Sequence, residues 1–444
     1  MAKPVVTPPK GSRDFLPHDV RKRAHVTRII REVFEAHGFA PLETPTFERL
    51  DTLLGKYGEE GDQLLFKILL RGEPLVQGIR AAAELLTKPG AVVQGRSGET
   101  APTAEPLLAD LGLRYDLTVP LSRVYAAYQG KLPPVFKRYQ IQPVWRADTP
   151  GKGRFREFYQ CDVDVVGSTS NVVEADVAGA AAECLHKLGF HDFKLRLNHR
   201  GLLRAIVEHC GIPTSLEGDA ITAIDKLDKI GTDGVSRELV ARGIPAEGAE
   251  RLLALLADGK SLASLKSALA GSEKGLAAIA EIENVLDLAG VTAAHGHLQF
   301  DVSLARGLGY YTGCIFEIAV ADLAGSLGGG GRYDGLIGMF LGKDVPACGL
   351  SLGLERILVV MEEREMYPED TTHLDAVLAP IEERDLKAAL ALCETLRKSG
   401  LRVDLMPKGM APGKLRKHAD DHRVPAAIWL EPGATDRASL WRQA

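Results

Sequence analysis

An α+β fold, with an antiparallel sheet flanked by helices, a helical insertion and a small C-terminal α/β domain, is predicted by three observations. From about Arg114 to Gly167, aromatic and β-branched residues recur at period two around the turn-forming Thr149-Pro-Gly-Lys-Gly153, the pattern of a long antiparallel hairpin. Between Gly201 and about Gly296 the chain is rich in Ala, Leu, Lys and Glu with Gly or Pro breaks, which predicts helices. After Asp370, apolar strand-like runs alternate with amphipathic helical runs. At 444 residues the chain is too long for one ordinary core, so several domains are expected: 1–200, 201–296, 297–368 and 369–444.

Taken in order, Val26, Ile29, Ile30, Val33 and Phe34 fall at helical spacing, and Gly38 closes that first helix. Phe39 to Phe47, with two prolines, reads as an extended arm, and Arg71 to Leu113 as an irregular insertion around a helix-like Ala81 to Leu86. Strand-like runs return at Phe300 to Leu304 and Cys314 to Ala319, followed by the glycine run Gly328 to Gly331 and a helix beginning near Leu352. In the last segment, strands at Ala376 to Ala379, Leu401 to Met406 and Ala426 to Leu430 alternate with helices carrying Leu386, Leu390, Cys393 and Leu396, and Lys414 to His422. That alternation predicts a small parallel sheet.

With 45% hydrophobic and 25% charged residues, and no apolar run long enough for a bilayer, disorder and membrane insertion are both disfavoured. The proline-rich start lacks an apolar secretory core, so a cytoplasmic protein is expected. Six scattered cysteines form no CxxC pair, which gives no support to a disulfide framework or a zinc site, and no metal is expected to be fixed by the protein alone. A net charge of −5 leaves room for a nucleic-acid partner held by local basic patches.

The chemistry concentrates in Arg154-Phe-Arg-Glu-Phe-Tyr-Gln-Cys-Asp-Val-Asp164. On a strand, Arg154, Arg156, Phe158, Gln160, Asp162 and Asp164 project to one side and Tyr159, Cys161, Val163 and Val165 to the other. The polar set is either a solvated face or, with Arg146 from the hairpin partner, a site for a phosphate, a stacked base and a polar small molecule. Gly328 to Gly331 fits neither a Walker loop nor a Rossmann fingerprint, and by itself reads as a tight backbone crossing. No HExxH and no nucleophile elbow is present, so hydrolytic readings are weak.

Read together, several motifs in order resemble histidyl-tRNA synthetases over nearly the whole chain. They are Lys10-Gly-Ser-Arg-Asp-Phe-Leu-Pro17, Pro45 in the motif 1 arm, Arg114-Tyr-Asp-Leu-Thr-Val-Pro120, and the motif 2 hairpin through Arg154-Phe-Arg-Glu-Phe-Tyr-Gln160. Leu304-Ala-Arg-Gly-Leu-Gly-Tyr-Tyr-Thr-Gly313, Gly329-Gly-Gly-Arg-Tyr-Asp-Gly335 and the motif 3 stretch Gly349-Leu-Ser-Leu-Gly-Leu-Glu-Arg356 complete the set.

The resemblance implies a class II aminoacyl-tRNA synthetase core and a shortened anticodon-binding-like domain. By it, Asp116 and Thr118 hold the α-amino group of L-histidine, with Leu117 and Tyr310 beside them, and Gln160, Asp164, Tyr311 and Tyr333 read the imidazole. ATP is expected at Arg146, Asp148, Arg154, Phe158, Arg306 and Arg356. Arg146 and Arg306 neutralise the α-phosphate as the catalytic pair, and Mg²⁺ rides on the β and γ phosphates. Lys152, in a motif 2 loop where Thr149 and Gly151 depart from the family pattern, and Lys414, Arg416 and Lys417 are the implied contacts to tRNA(His). A homodimer built through the motif 1 arm is also implied.

A rival reading is an inactive paralogue that regulates the ATP phosphoribosyltransferase of histidine biosynthesis. Such paralogues lack the anticodon module and the Arg306-type motif, and this sequence carries both.

Overall fold

Period-two patterning between Phe136 and Val166 produces two ten-residue strands in the computed structural model, which describes residues 6–87, 105–258, 261–305, 309–323, 325–368, 374–433 and 438–442. Two compact units make up the chain, Met1–Met366 and Tyr367–Ala444. In the first unit the strands are β1 (Ala40–Pro41), β2 (Phe47–Arg49), β3 (Lys67–Leu69), β4 (Ala109–Leu113), β5 (Phe136–Trp145), β6 (Glu157–Val166), β7 (Lys194–His199), β8 (Leu298–Phe300), β9 (Cys314–Ala319), β10 (Ser326–Arg332) and β11 (Ala347–Gly353). In the second they are β12 (Ala376–Pro380), β13 (Val403–Leu405), β14 (Ala426–Leu430) and β15 (Ala438–Arg442).

The main sheet runs β1-β5-β6-β11-β10-β9-β7-β8. Its interior pairings are antiparallel, and only the edge strands β1 and β8 pair in parallel. Because β6 is bonded on both edges and covered on both faces, every residue from Gln160 to Val166 is buried, the polar ones included. The polar face is therefore the wall of an internal site rather than a solvated surface.

A helix over Pro17–Ala36 buries Val26, Ile30, Val33 and Phe34. Gly38 lies just past its end at φ +76°, with Gly38 N–H donating to Glu35 O and Phe39 N–H to Phe34 O. This pair of bonds is the Schellman arrangement, which requires a left-handed residue at that position and so favours glycine. Between β7 and β8 the predicted helical insertion forms as helices including Arg200–His209, Ala246–Asp258 and Glu273–Ala289. His199 joins it to the sheet: Nδ1 accepts from Gly201 N–H and Nε2 faces Glu281 at 3.2 Å.

Three expectations about this unit are corrected. The span from Arg114 is not all hairpin, since Thr118–Tyr128 is a helix. Its first turns are buried throughout, at Val119, Pro120, Leu121 and Ser122, and tertiary packing overrides its β-branched content. Arg71 to Leu113 is more regular than predicted: a helix fills Glu73–Thr87 and Ala109–Leu113 is the central strand of a three-stranded sheet with β2 and β3. The rest of that insertion, 88–104, lies outside the described residues. The strand expected at Phe300 to Leu304 ends at Phe300, and the Leu304 carbonyl instead accepts from Asn198 Nδ2.

In the second unit the sheet order is β13-β12-β14-β15. The three predicted strands are parallel, but β15 adds an antiparallel edge, so the sheet is mixed. Alternate residues of β12 serve two cores: Val377 and Ala379 meet Leu415 and Ala419 of one helix, while Ala376 and Leu378 meet Ala389 and Cys393 of the other. Among the described residues no helix is long and apolar enough to cross a membrane.

Candidate active site

Strand β6 sends Phe158, Gln160, Asp162 and Asp164 into one cavity, as the period-two reading requires. The opposite wall comes from the glycine run Gly328 to Gly330 and from Gly349 to Ser351 of β11, and Thr118, Tyr310, Tyr311 and Tyr333 close one end. The cavity holds about 250 Å³ and is open to solvent on one side, close to the lower end of small-molecule sites of roughly 300–1,000 Å³.

The glycine run is both a crossing and a wall. A Cβ on Gly330 would lie 2.0 Å from Gly349 O, and one on Gly349 would lie 1.9 Å from Asp164 Oδ1. A Cβ at Gly349 would displace the carboxylate and one at Gly330 would collide with the backbone of β11, so glycine is required at both positions for steric reasons.

At the closed end, Arg138 of β5 is fully buried, with Nη2 2.6 Å from Asp164 Oδ2 and 3.9 Å from Asp162 Oδ2. Tyr333 donates its hydroxyl proton to Asp164 Oδ1. Burial drives the Asp164 carboxyl above the ordinary range, while Arg138 and Tyr333 pull it back. Asp162 is pushed up to about 7, chiefly by burial and further by Asp164, with Arg138 opposing. Tyr310, Tyr311 and Tyr333 are raised chiefly by burial, and further by Asp116 at Tyr310, by Asp116, Asp164 and Asp162 at Tyr311 and by Asp164 at Tyr333, so each phenol stays protonated and able to donate.

Asp116 is also buried, but its oxygens are occupied: Oδ1 accepts from Tyr57 and Val119 N–H, and Oδ2 from Tyr310. It braces Tyr310 from behind instead of lining the cavity. Leu117 is likewise buried outside the lining, and its carbonyl accepts from Arg138 Nη2. Thr118, Gln160, Asp164, Tyr310, Tyr311 and Tyr333 are all brought together.

At the open end, Arg146 donates Nε–H to Tyr115 O, and its guanidinium lies 4.2 Å from the Tyr115 ring centre and 5.2 Å from that of Phe158. Asp148, Arg154 and Arg356 line the same region. Arg154 and Asp148 pair at 3.1 Å, and Arg356 donates to Ser326 O. Arg306 lies outside the described residues. Lys152 pairs on the surface with Glu363, and Lys414, Arg416 and Lys417 share the exposed side of the helix Pro412–Asp421, where Arg416 lies over Trp429.

Sequence reasoning missed Tyr57, Arg138, Ser351 and Glu355. Glu355 is buried, lines the cavity and accepts from Arg23 Nη1 and Tyr159 N–H. Arg138 sits at the right alternation to share the Asp164 face across the hairpin, a signal available in the sequence. Among the described residues His199, Glu281 and Cys314 place metal-ligating atoms within 4.8 Å, an arrangement in which the His199–Glu281 hydrogen bond already uses the imidazole proton. All six cysteines are free and buried.

Comparison with known proteins agrees with this geometry. A family model described as histidyl-tRNA synthetase matches residues 11–81 and 107–357. A histidine–tRNA ligase of Porphyromonas gingivalis is 43% identical over 99% of this chain and 94% of its own. One of Flavobacterium johnsoniae is 40% identical over 96% and 92%. The crystal structure of the histidyl-tRNA synthetase of Nostoc sp. PCC 7120 superposes with a TM-score of 0.76 at 27% identity, covering 99% of this chain and 95% of that one.

Proposed function

The chain belongs to the histidyl-tRNA synthetase family, and we infer that it catalyses ATP-dependent charging of tRNA(His) with L-histidine. The observation that carries this reading is one strand face, Phe158 to Asp164, leading from an arginine-lined open end to a closed end of acids and phenols. An anionic nucleotide fits the first and a small cationic or polar side chain the second.

In this reading the imidazole lies between Asp164, Gln160, Tyr311 and Tyr333. Asp164 and Tyr333 are locked together, so the ring meets a fixed acceptor and a fixed set of phenols that select its tautomer. An amino acid without ring nitrogens would leave those buried groups unpaired, which is the stronger form of discrimination.

Phe158 stacks on adenine and Arg356 closes over it. The histidine carboxylate attacks the α-phosphorus in line, the bond to pyrophosphate breaks, and the charge accumulating on the nonbridging oxygens is met by Arg146. Arg306 joins it by family resemblance. Mg²⁺ would be carried by the β and γ phosphates and would supply further neutralisation of their charge; the carboxylates nearest this end are Asp148, paired with Arg154, and Glu355, which accepts from Arg23 and Tyr159 N–H. In the second step a terminal ribose hydroxyl of the tRNA attacks the adenylate carbonyl and AMP leaves.

We place the protein in the cytoplasm, with Lys152 toward the acceptor end and Lys414, Arg416 and Lys417 toward the anticodon. The regulatory-subunit alternative is not favoured, because the curated relatives at about 40% identity over nearly the full chain are ligases.

Amino-acid-dependent ATP–pyrophosphate exchange measured across all twenty amino acids is expected to respond to histidine alone. Absence of histidine-dependent exchange would remove the synthetase reading. Sedimentation of the active protein is expected to give a homodimer, and an active monomer would remove the motif 1 dimer.

A further inference from the structure

The connection from β5 to β6 carries Asp148, Gly153, Arg154 and Phe155 to the open end of the cavity. Residues 148–154 include two glycines and a proline and no Leu, Ile, Val, Met or aromatic side chain, so the loop has nothing of its own to bury. A mutual backbone pair between Gly151 and Arg154 closes its tip, and Arg156 Nε donates to Asp148 O at its base. Few internal bonds and little apolar burial are the marks of a segment that opens easily, so its shape has to be fixed from outside.

Residues 11–15 do this. Arg156 N–H donates to Gly11 O at 2.8 Å, and a Cβ on Gly11 would lie 2.7 Å from Arg156 Cγ and 2.9 Å from Pro150 Cγ. With φ at +87° and that close approach, the position requires glycine. Two residues on, the Arg13 guanidinium lies 3.4 Å from the centre of the Phe155 ring, a cation–π contact, and 4.9 Å from that of Phe15. Arg13 Nη2 is also 3.9 Å from Glu355 Oε1, which accepts from Arg23 Nη1, while Glu355 Oε2 accepts from Tyr159 N–H. Phe155 and Glu355 line the cavity, and Gly11 and Arg13 stand behind them. Arg13 thus reaches the site through two parts of its wall, one in the loop and one beside Arg356 on the helix Leu354–Glu363.

We propose that residues 11–15 brace the nucleotide end and that Arg13 is a positioning residue for ATP, holding the loop through Phe155 and Glu355 in the shape that receives the nucleotide. The inference rests on the reading that this end takes ATP. Without the brace the ligand itself has to order the loop, and that cost lowers nucleotide affinity. The closed end keeps its own bonds among Arg138, Asp164 and Tyr333, so histidine affinity is spared.

The test is calorimetric binding of ATP with Mg²⁺ and, separately, of L-histidine to the full-length protein, joined to pyrophosphate exchange resolved into KM and kcat for each substrate. Arg13→Ala is expected to weaken ATP about tenfold in both Kd and KM. Its kcat and its histidine affinity should stay within about threefold of wild type, the split that a general loss of folded protein does not produce. Arg13→Lys keeps a cation for the Phe155 ring without the planar fork and is expected to lose only about threefold for ATP. Gly11→Ala leaves Arg13 in place, cannot hold the left-handed conformation against Arg156, and is expected to repeat the ATP-selective loss. Once Phe155→Leu is present, adding Arg13→Ala should change ATP affinity by no more than about twofold, since the contact is already gone. ATP binding within about twofold of wild type in Arg13→Ala overturns the proposal. So does equal weakening of ATP and histidine with a lowered melting temperature, which would make the segment a cap on the fold. The binding arm needs no turnover: absence of exchange would remove the synthetase reading while the ATP comparison still decides the brace, and wild-type protein that binds no ATP removes both.

Discussion

Arg146→Ala is expected to lower histidine-dependent pyrophosphate exchange by about 10²–10³-fold, the usual cost of removing one preorganised donor from a developing phosphate charge. The side chain is preorganised in the free protein. Its Nε–H is committed to Tyr115 O at 3.0 Å, and the guanidinium lies over Tyr115 and near Phe158, so it is held at the cavity wall before the nucleotide binds. Arg146→Lys is expected to recover little of the loss, since a point charge on a flexible stem keeps neither the fixed fork nor the stacking. Histidine binding without ATP should remain close to wild type, because the closed end proposed for the imidazole is built by Asp164, Tyr333 and Arg138, away from Arg146. Exchange within about threefold of wild type in Arg146→Ala would remove this residue from the phosphate end.

How much of this was legible in the sequence depended on the range of the interaction. Alternation along one strand is local, and it put Phe158, Gln160, Asp162 and Asp164 on one face without any structure. The same rule failed over Thr118–Tyr128, where Val119, Val124 and the tyrosines resemble a strand but the segment packs as a helix. Partners drawn from distant segments were hidden. Tyr57 reaches Asp116 across 59 positions, and Ser351 reaches Gln160 across 191. The glycine run Gly328 to Gly331 reads as a crossing, but its second role as a cavity wall followed only from the packed site, where Gly328 to Gly330 line the space beside Gly349 of β11.

Arg138→Met is expected to destabilise the protein by about 3–5 kcal/mol, the range for removing one partner of a buried ion pair. Arg138 is fully buried and is the cation beside Asp162 and Asp164. Its other bonds go to Gln140 Oε1 and Leu117 O, so it also ties the helix Thr118–Tyr128 to β5. The size of the loss should depend on pH in a definite direction. Burial already raises both carboxyls, Asp162 to about 7, with Arg138 opposing, so removing the arginine raises them further. A carboxyl raised in the folded state contributes its stability below the unfolded value of about 3.9, and loses it as pH rises through the folded value. Denaturant melts of Arg138→Met should therefore show a smaller deficit at pH 5 than at pH 8, while wild type shows the same trend with a smaller amplitude. Adding Asp162→Asn and Asp164→Asn to Arg138→Met should restore much of the pH 8 stability, because a neutral buried set no longer needs a counter-ion. A deficit equal at both pH values and unmoved by the two asparagines would mean that Arg138 stabilises through its bonds to Gln140 and Leu117 rather than through the acids that face the substrate.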